Sequence, residues 1–438
     1  MKIDSRIFVG LSSFQALAMF RRGIFYTFLA VYLRSNLGLS VTETTLFETV
    51  PMILNVLFQT FVWGRLTDRL QRRRSLIITG ELLASVGHIV MWYAHSVAPS
   101  PRASGYAIIV GLTIIEIFWS MSNIGWSAFI SDVYTPQQRN AVQGRLASIG
   151  GVGRMVGAMA GGLLYDGARL MYPGWGFRSG GIFFVASFVM LISVIPLLFM
   201  PEGGIHYRAA VDTDGSADMC DDAPEGGKAA SHAGGLGRFV MFLGAMLLIN
   251  SGVNTIGAFR AQYMSLAEGL SAPASTISLA ANAESAALII VGFFLGALGR
   301  RLGIGRLLTL GAVMGIVSLV VLVLAPCVEI ILVAALFKGL SDGCIASSSY
   351  AYASTLIPPE KRGRYFALYN ATFFLSWGLA ATFVTGPLID SLIVSGAGAV
   401  MAYKAGFASG AGLVSLGLML LVALFVVSKH SARTARAA

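Results

Sequence analysis

Twelve long runs of apolar residues follow one another along the chain, with short polar loops between them. The runs are continuous, whereas the strands of a membrane barrel alternate apolar and polar positions. A helix needs about 20 apolar residues to cross a bilayer. The predicted segments, numbered 1 to 12 in chain order, are 7–33, 43–64, 75–96, 106–131, 143–165, 179–200, 239–265, 273–296, 304–325, 329–353, 365–388 and 404–428. The pattern predicts an all-α membrane protein with twelve transmembrane helices.

Residues 202–238 interrupt the apolar pattern. They are rich in Gly, Ala and Asp and cannot bury a core, which is typical of a flexible linker. The chain is therefore predicted to consist of an N-terminal six-helix half (1–201), this linker (202–238), a C-terminal six-helix half (239–428) and a short tail (429–438).

The two predicted halves share short matches at a constant offset. The matching residues are Phe28, Ala30, Tyr32, Gly38, Leu39 and Ser40 in the first half and Phe259, Ala261, Tyr263, Gly269, Leu270 and Ser271 in the second. Their common order along the chain favours an internal repeat over chance. Transporters built from two parallel repeats hold their substrate between the halves, near the middle of the membrane.

Composition agrees with a location in lipid, since 56% of residues are hydrophobic and only 12% are charged, against about 25% charged in soluble proteins. The net charge of +10 is a topology signal rather than a nucleic-acid footprint. Of the 31 Lys and Arg residues, 21 fall on one side of the predicted membrane. The opposite side carries only Arg34, Arg102, Arg169, Arg178 and Lys404. The positive-inside rule then predicts cytoplasmic termini in a bacterial-type inner membrane.

The loop between segments 2 and 3 has a specific pattern, G-x-L-x-D-R-x-x-R-R, with Gln71 directly after Leu70. It resembles the signature loop of the major facilitator superfamily of secondary transporters, which usually has Gly where this chain has Gln71. The resemblance implies two six-helix halves that rock about a central site. It also implies a cytoplasmic gate formed by Gly64, Asp68, Arg69, Arg72 and Arg73, with Arg139 as a partner of Asp68. The alternative is a solvated acid balanced by neighbouring arginines.

Segment 5 is rich in glycine, and its pattern resembles the antiporter motif of superfamily exporters, with Ala158 in place of the usual proline. The glycines are Gly144, Gly153, Gly157, Gly161 and Gly162. Glycines four residues apart form a groove in which a neighbouring helix can approach closely. The motif favours export, and the alternative is an ordinary packing face.

Ionisable side chains at the centre of a membrane helix cost at least about 2.5 kcal/mol each, so those inside the segments are candidates for function. Candidates for proton coupling are Glu116, Glu284 and Asp342. Candidates for substrate binding are Arg21, Arg22, Arg154, Arg260 and Lys338, with the polar neighbours Trp119, Asn123 and Asn254. Arg21 and Arg22 differ by about 100° around a helix, so only one need face the cavity, and Arg22 is preferred.

The charged residues inside the predicted helices can also be explained by structural pairing, without a role in transport. Lys338 and Asp342 are four residues apart and can pair within one helix. With Glu48 and Glu81 included, five intramembrane acids face five bases, so mutual neutralisation needs no ligand.

The sequence thus predicts a secondary transporter, with proton antiport and efflux of a small organic compound, anionic or amphipathic, as the favoured function. Proton-linked uptake of an organic anion, a lipid translocase and a non-transporting receptor are the alternatives. Scattered cysteines and missing phosphate-loop or hydrolase motifs predict no metal, no cofactor and no enzyme activity. The expected partners are substrate, protons and lipid, with the protein as a monomer.

Overall fold

The computed structural model describes residues 5–134, 136–204, 235–357 and 362–437, and within these ranges it is a bundle of long helices. Most of the linker predicted at 202–238 lies outside the described residues. Helices of the first half are α1 (Ser5–Val31), α2 (Val41–Phe58), α3 (Arg73–Ser96), α4 (Pro101–Val133), α5 (Pro136–Tyr165) and α6 (Gly181–Leu198). Those of the second half are α7 (Gly235–Ser265), α8 (Ala274–Leu302), α9 (Ile304–Leu324), α10 (Val328–Leu356), α11 (Arg362–Leu375, then Gly386–Val394) and α12 (Ala399–Ala437). The predicted all-α fold with two six-helix halves is confirmed.

Helix α11 differs from its prediction. Eleven helices of the described chain are long and apolar enough to cross a membrane, but segment 365–388, expected as one helix, breaks after Leu375 and continues through a π-helical turn, Ala381–Thr385. Gly378 lies at the break, where a Cβ atom would be 2.6 Å from the backbone nitrogen of Thr49 on α2. The break lies at a contact with another helix, which a run of apolar residues does not reveal.

Helix α5 lies between α1 of its own half and α8 of the other half. Added Cβ atoms at Gly153 and Gly157 would approach the carbonyl oxygens of Ala16 and Phe20 on α1 to 2.2 and 2.0 Å. On its other side, the carbonyl of Ala158 accepts a hydrogen bond from Ser278 on α8 at 2.8 Å. The glycine groove therefore holds α1, and the adjoining face of α5 meets the second half.

Buried aromatic rings fill the core of the first half. Phe25 packs edge-on against Phe177 and Phe183, with ring centroids 5.6 and 5.4 Å apart. Nearby, the hydroxyl of Tyr32 lies 3.0 Å from Nε2 of His95. This core ties α1 to α3 and α6.

The bundle has a basic end, defined by the loop Arg65–Arg74, and a far end, defined by the start of α2 at Val41. At the far end the carboxylate of Asp390 on α11 accepts hydrogen bonds from the backbone N–H groups of Val41 and Thr42, at 2.9 and 2.8 Å. One and two turns further along α2, Thr45 and Thr49 both hydrogen-bond Thr382. Polar contacts thus close the far end between the two halves.

Candidate functional site: charged residues between the halves

Arg21 and Arg22 of α1 have different surroundings. Arg21 is buried, its guanidinium carbon stacks 3.3 Å from the ring centre of Trp119, and its Nη1 lies 3.9 Å from Glu81. Arg22 is half-buried and lies 5.7 Å from the ring of Trp377, on α11 of the other half. Among the described residues Arg22 makes no ion pair or hydrogen bond. Arg22 is therefore the cation left available to the space between the halves.

Glu116 of α4 is buried and hydrogen-bonded. The amide nitrogen of Asn55 on α2 donates to its Oε1 at 2.5 Å, and Gln59 donates in turn to the amide oxygen of Asn55 at 2.7 Å. This polar chain links α4 to α2 within the first half. Trp119, one turn along α4, stacks on Arg21, and its indole N–H has no hydrogen-bond partner among the residues that the structure describes.

A cluster around Glu284 joins the two halves. Arg260 of α7 donates to Glu284 of α8 with Nη2 and Oε2 2.8 Å apart, and both side chains are buried. From the other half, Nη2 of Arg154 on α5 lies 3.5 Å from the second oxygen of Glu284. The Arg154 side chain is 44% exposed, so it faces open space. Nη1 of Arg260 is buried and has no hydrogen-bond partner in the described part of the chain. The single carboxylate of Glu284 therefore neutralises only part of the positive charge of the two arginines.

Lys338 and Asp342 pair within α10, as their spacing predicted. The ammonium nitrogen of Lys338 lies 2.6 and 2.5 Å from the two carboxylate oxygens of Asp342. The Lys338 side chain is buried, whereas that of Asp342 is 32% exposed. Asp342 therefore also reaches the open space.

The remaining predicted candidates make weak side-chain hydrogen bonds or none within the described chain. Asn254 of α7 donates to the carbonyl and hydroxyl of Ser376 at 3.3 and 3.4 Å, beside the break in α11. Asn123 is half-buried and makes no side-chain hydrogen bond within the described chain. The structure therefore brings together two groups of candidates, one around Arg21, Arg22 and Glu116 and one around Glu284.

Glu48 of α2 is a polar residue that the sequence ranking left out of the site, because it is near the predicted end of a helix. The structure places it two turns inside α2, half-buried, and without a hydrogen bond or ion pair to any described residue. The sequence contained one weak indication that Glu48 belongs with the site residues. Glu48 and Asn55 are seven residues apart, which places them on one face of a helix.

Similarity to known proteins agrees with this architecture. The sequence model of the Major Facilitator Superfamily matches residues 11–381 and 235–438. The chain belongs to the Major Facilitator Superfamily.

Solved structures of superfamily transporters share the fold of this chain. A mutant of the nucleoside transporter NupG aligns with a TM-score of 0.70 and 13% identity, over 96% of this chain and 100% of the other. A mutant of the peptide transporter POT gives 0.69 and 15%, over 99% and 97%. A bacterial homologue of the human lysosomal transporter Spinster, inward-facing and unoccupied, gives 0.64 and 14%, over 98% of each chain. No curated relative matches the sequence. At these identities the likeness concerns the fold.

Arg73 makes the hydrogen bonds that hold the superfamily signature loop in place. Its Nε donates to Asp132 at the end of α4 at 3.0 Å, Nη1 donates to the carbonyl of Thr67, and Nη2 donates to the Gln71 amide oxygen at 3.1 Å. The buried guanidinium thus joins the ends of α2 and α4 to the start of α3. Arg69 and Arg72 are exposed, and Gly64 continues the helix of α2. The side chains of Asp68 and Arg139 lie outside the described residues.

The departure of Gln71 from the superfamily pattern also has a local reason. Gln71 has φ 54° and ψ 20°, in the left-handed region that favours glycine. Its side chain accepts a hydrogen bond from Arg73, which a glycine would lack.

Proposed function

We propose that this superfamily member is a secondary transporter that carries a small organic acid together with protons, by alternating access between its two halves. The observation that carries the proposal is the sharing of Glu284 between Arg260 of its own half and Arg154 of the other half. Rocking of the halves against each other changes the Arg154 contact, so it links movement to the protonation of one carboxyl group.

The net charge of the Glu284 cluster favours binding of a proton together with an anion. Arg154, Arg260 and Lys338 supply three positive charges, and Glu284 and Asp342 supply two negative charges. The cluster therefore has a surplus of one positive charge, which suits an acidic group. A proton on Glu284 would release its two arginines and increase that surplus. By linkage, the acid would then also favour the proton.

The geometry of the bundle supports the direction of access. The far end is closed by Asp390 and by the threonines of α2, while Arg154 in the middle of α5 is partly exposed. With the basic end on the cytoplasmic side of an inner membrane, this state admits solutes from the cytoplasm. Return to a far-end-open state then requires these contacts to break.

Antiport, which the glycine pattern favoured, is less well supported than symport. Gly153 and Gly157 of α5 meet the backbone of α1, so their small size is required for packing within one half. A proton on Glu284 and an anion on its arginines reinforce each other, whereas an antiporter requires proton and substrate to compete. Symport in the direction of the proton gradient is therefore the preferred proposal.

The pH dependence of binding tests this proposal. Tryptophan fluorescence of the purified protein in nanodiscs would be titrated with a panel of small carboxylic acids between acidic and alkaline pH. In the wild type we expect affinity to fall as pH rises, because Glu284 loses the proton that frees its arginines. Glu284→Gln should bind the acids with affinity nearly independent of pH, and Glu329→Gln, which alters an exposed residue of α10, should behave as the wild type.

Flux measurements complete the test. In proteoliposomes that contain a pH-sensitive dye, addition of the bound acid outside should acidify the lumen, and Glu284→Gln should remove that proton movement. Affinity that rises with pH, with proton release instead of entry, would replace symport by antiport. Binding of acids without proton movement of either sign contradicts coupling.

A further inference from the structure

Glu48 is the one acid of the membrane interior that has no partner in the described part of the chain. Glu81 accepts from Ser122 and lies near Arg21, and Glu116 accepts from Asn55. Glu284 and Asp342 are paired with basic residues. A carboxylate removed from water without a cation or hydrogen-bond donor is costly. The position of Glu48 is therefore unexplained by packing within the protein.

The surroundings of Glu48 are aromatic and border the closed far end. Phe47 next to it packs against Tyr26 of α1 with ring centres 6.1 Å apart. Thr45 and Thr49, on either side of Glu48 along α2, hydrogen-bond Thr382 of the other half. Glu48 thus lies beside the contacts that join the two halves at the far end.

The described basic residues between the halves contact groups other than Glu48. Arg21 stacks on Trp119 and Arg22 lies beside Trp377, while Arg154, Arg260 and Lys338 surround Glu284 and Asp342. The region between the halves therefore has an unpaired carboxylate beside aromatic residues at Glu48 and a surplus of positive charge at the Glu284 cluster.

We propose that Glu48 binds a cationic group of the transported compound, so that the compound is dipolar, with an ammonium-type group at Glu48 and an acidic group at the Glu284 cluster. Carboxylates and tyrosine faces both attract organic cations. The assignment of the acidic group rests on the proposed function, whereas the assignment of the cationic group rests on Glu48. Because Glu48 is flanked by Thr45 and Thr49, a bound cation also contacts the element that closes the far end.

Matched probes test the proposal without knowledge of the natural substrate. The probes are ω-amino carboxylic acids of increasing chain length, each compared with the carboxylic acid and the amine of the same carbon skeleton. Binding to the full-length protein would be measured from the shift in its thermal unfolding midpoint, since a ligand of the folded state raises that midpoint. We expect at least one dipolar probe to bind about tenfold or more tightly than both of its single-charge analogues, the ratio typical of a charged hydrogen bond.

Glu48→Gln should remove that advantage, so that the dipolar probe binds no better than its acid-only analogue, while the acid-only analogue binds as it does to the wild type. Glu329→Gln should keep the advantage. The proposal is overturned if Glu48→Gln retains the preference, if the acid-only analogue matches the dipolar probe in the wild type, or if no dipolar probe binds. Binding of a dipolar probe through Glu48 without any proton movement would contradict the proposed symport and leave this inference intact.

Discussion

Arg73 and Arg74 are neighbours in the signature loop, yet their ion pairs differ in burial. The side chains of Arg73 and Asp132 are 8% and 13% exposed, whereas those of Arg74 and Glu202 are 31% and 30% exposed. Both pairs connect the start of α3 to distant parts of the first half. Removal of one partner from a buried pair leaves an uncompensated charge, while an exposed charge is solvated by water.

We therefore expect Asp132→Ala to lower the free energy of unfolding by about 3 kcal/mol, and Glu202→Ala to lower it by about 1 kcal/mol or less. Chemical denaturation of the two purified variants, each compared with the wild type, measures both changes. Equal losses in the two variants would show that burial does not determine the strength of these pairs.

Among the helices, α5 contains glycines with different surroundings. A Cβ atom at Gly157 would lie 2.0 Å from the carbonyl oxygen of Phe20 on α1, a backbone atom that cannot rotate away. At Gly144, in the same helix, a Cβ atom would meet nothing within 4 Å. Only the first glycine is thus required by the contact between α1 and α5.

Substitution of each glycine by alanine separates packing from helix propensity. Gly157→Ala should destabilise the protein by about 1 to 3 kcal/mol or more, because the two helices must move apart. Gly144→Ala should be neutral or stabilising by up to about 1 kcal/mol, because alanine favours helix. Thermal unfolding midpoints in the same detergent would measure both, and a harmless Gly157→Ala would contradict the close approach of α1 and α5.

At the scale of the whole molecule, the closed far end depends on a few polar contacts between the halves. Asp390 of α11 is the charged member of this set that caps the start of α2, where the partial positive charge of a helix N-terminus favours a carboxylate. Under the alternating access proposed above, these contacts break and re-form in each cycle, so each one sets part of the balance between the two states.

Asp390→Ala should shift the balance toward a far-end-open state by roughly tenfold, since a charge-assisted hydrogen bond contributes about 1.5 to 3 kcal/mol. Spin labels at Asn36 and Gly396, at the far end of opposite halves, would report longer distances in pulsed electron resonance. Asp166→Ala is the control, because Asp166 accepts a hydrogen bond from the Arg169 backbone within its own half. An unchanged distance distribution in Asp390→Ala would remove Asp390 from the closure.

Features that depend on neighbours along the chain could be predicted from the amino-acid sequence. Runs of apolar residues predicted the helices, since lipid requires every backbone hydrogen bond to be made within a segment. The spacing of Lys338 and Asp342 predicted their pair, because residues four apart lie side by side on a helix. The signature loop and the repeat placed the chain in its superfamily.

Contacts between groups that are distant along the chain became known from the packing of the helices. Arg21 and Glu81 are on different helices, as are Arg154 and Glu284, and periodicity contains no information about such pairs. The break in α11 lies at Gly378, where a side chain would meet Thr49 of α2, and the isolation of Glu48 is apparent only once the partners of the other buried acids are known. Local order follows from the chain, whereas the pairing of buried charges follows from how the helices pack.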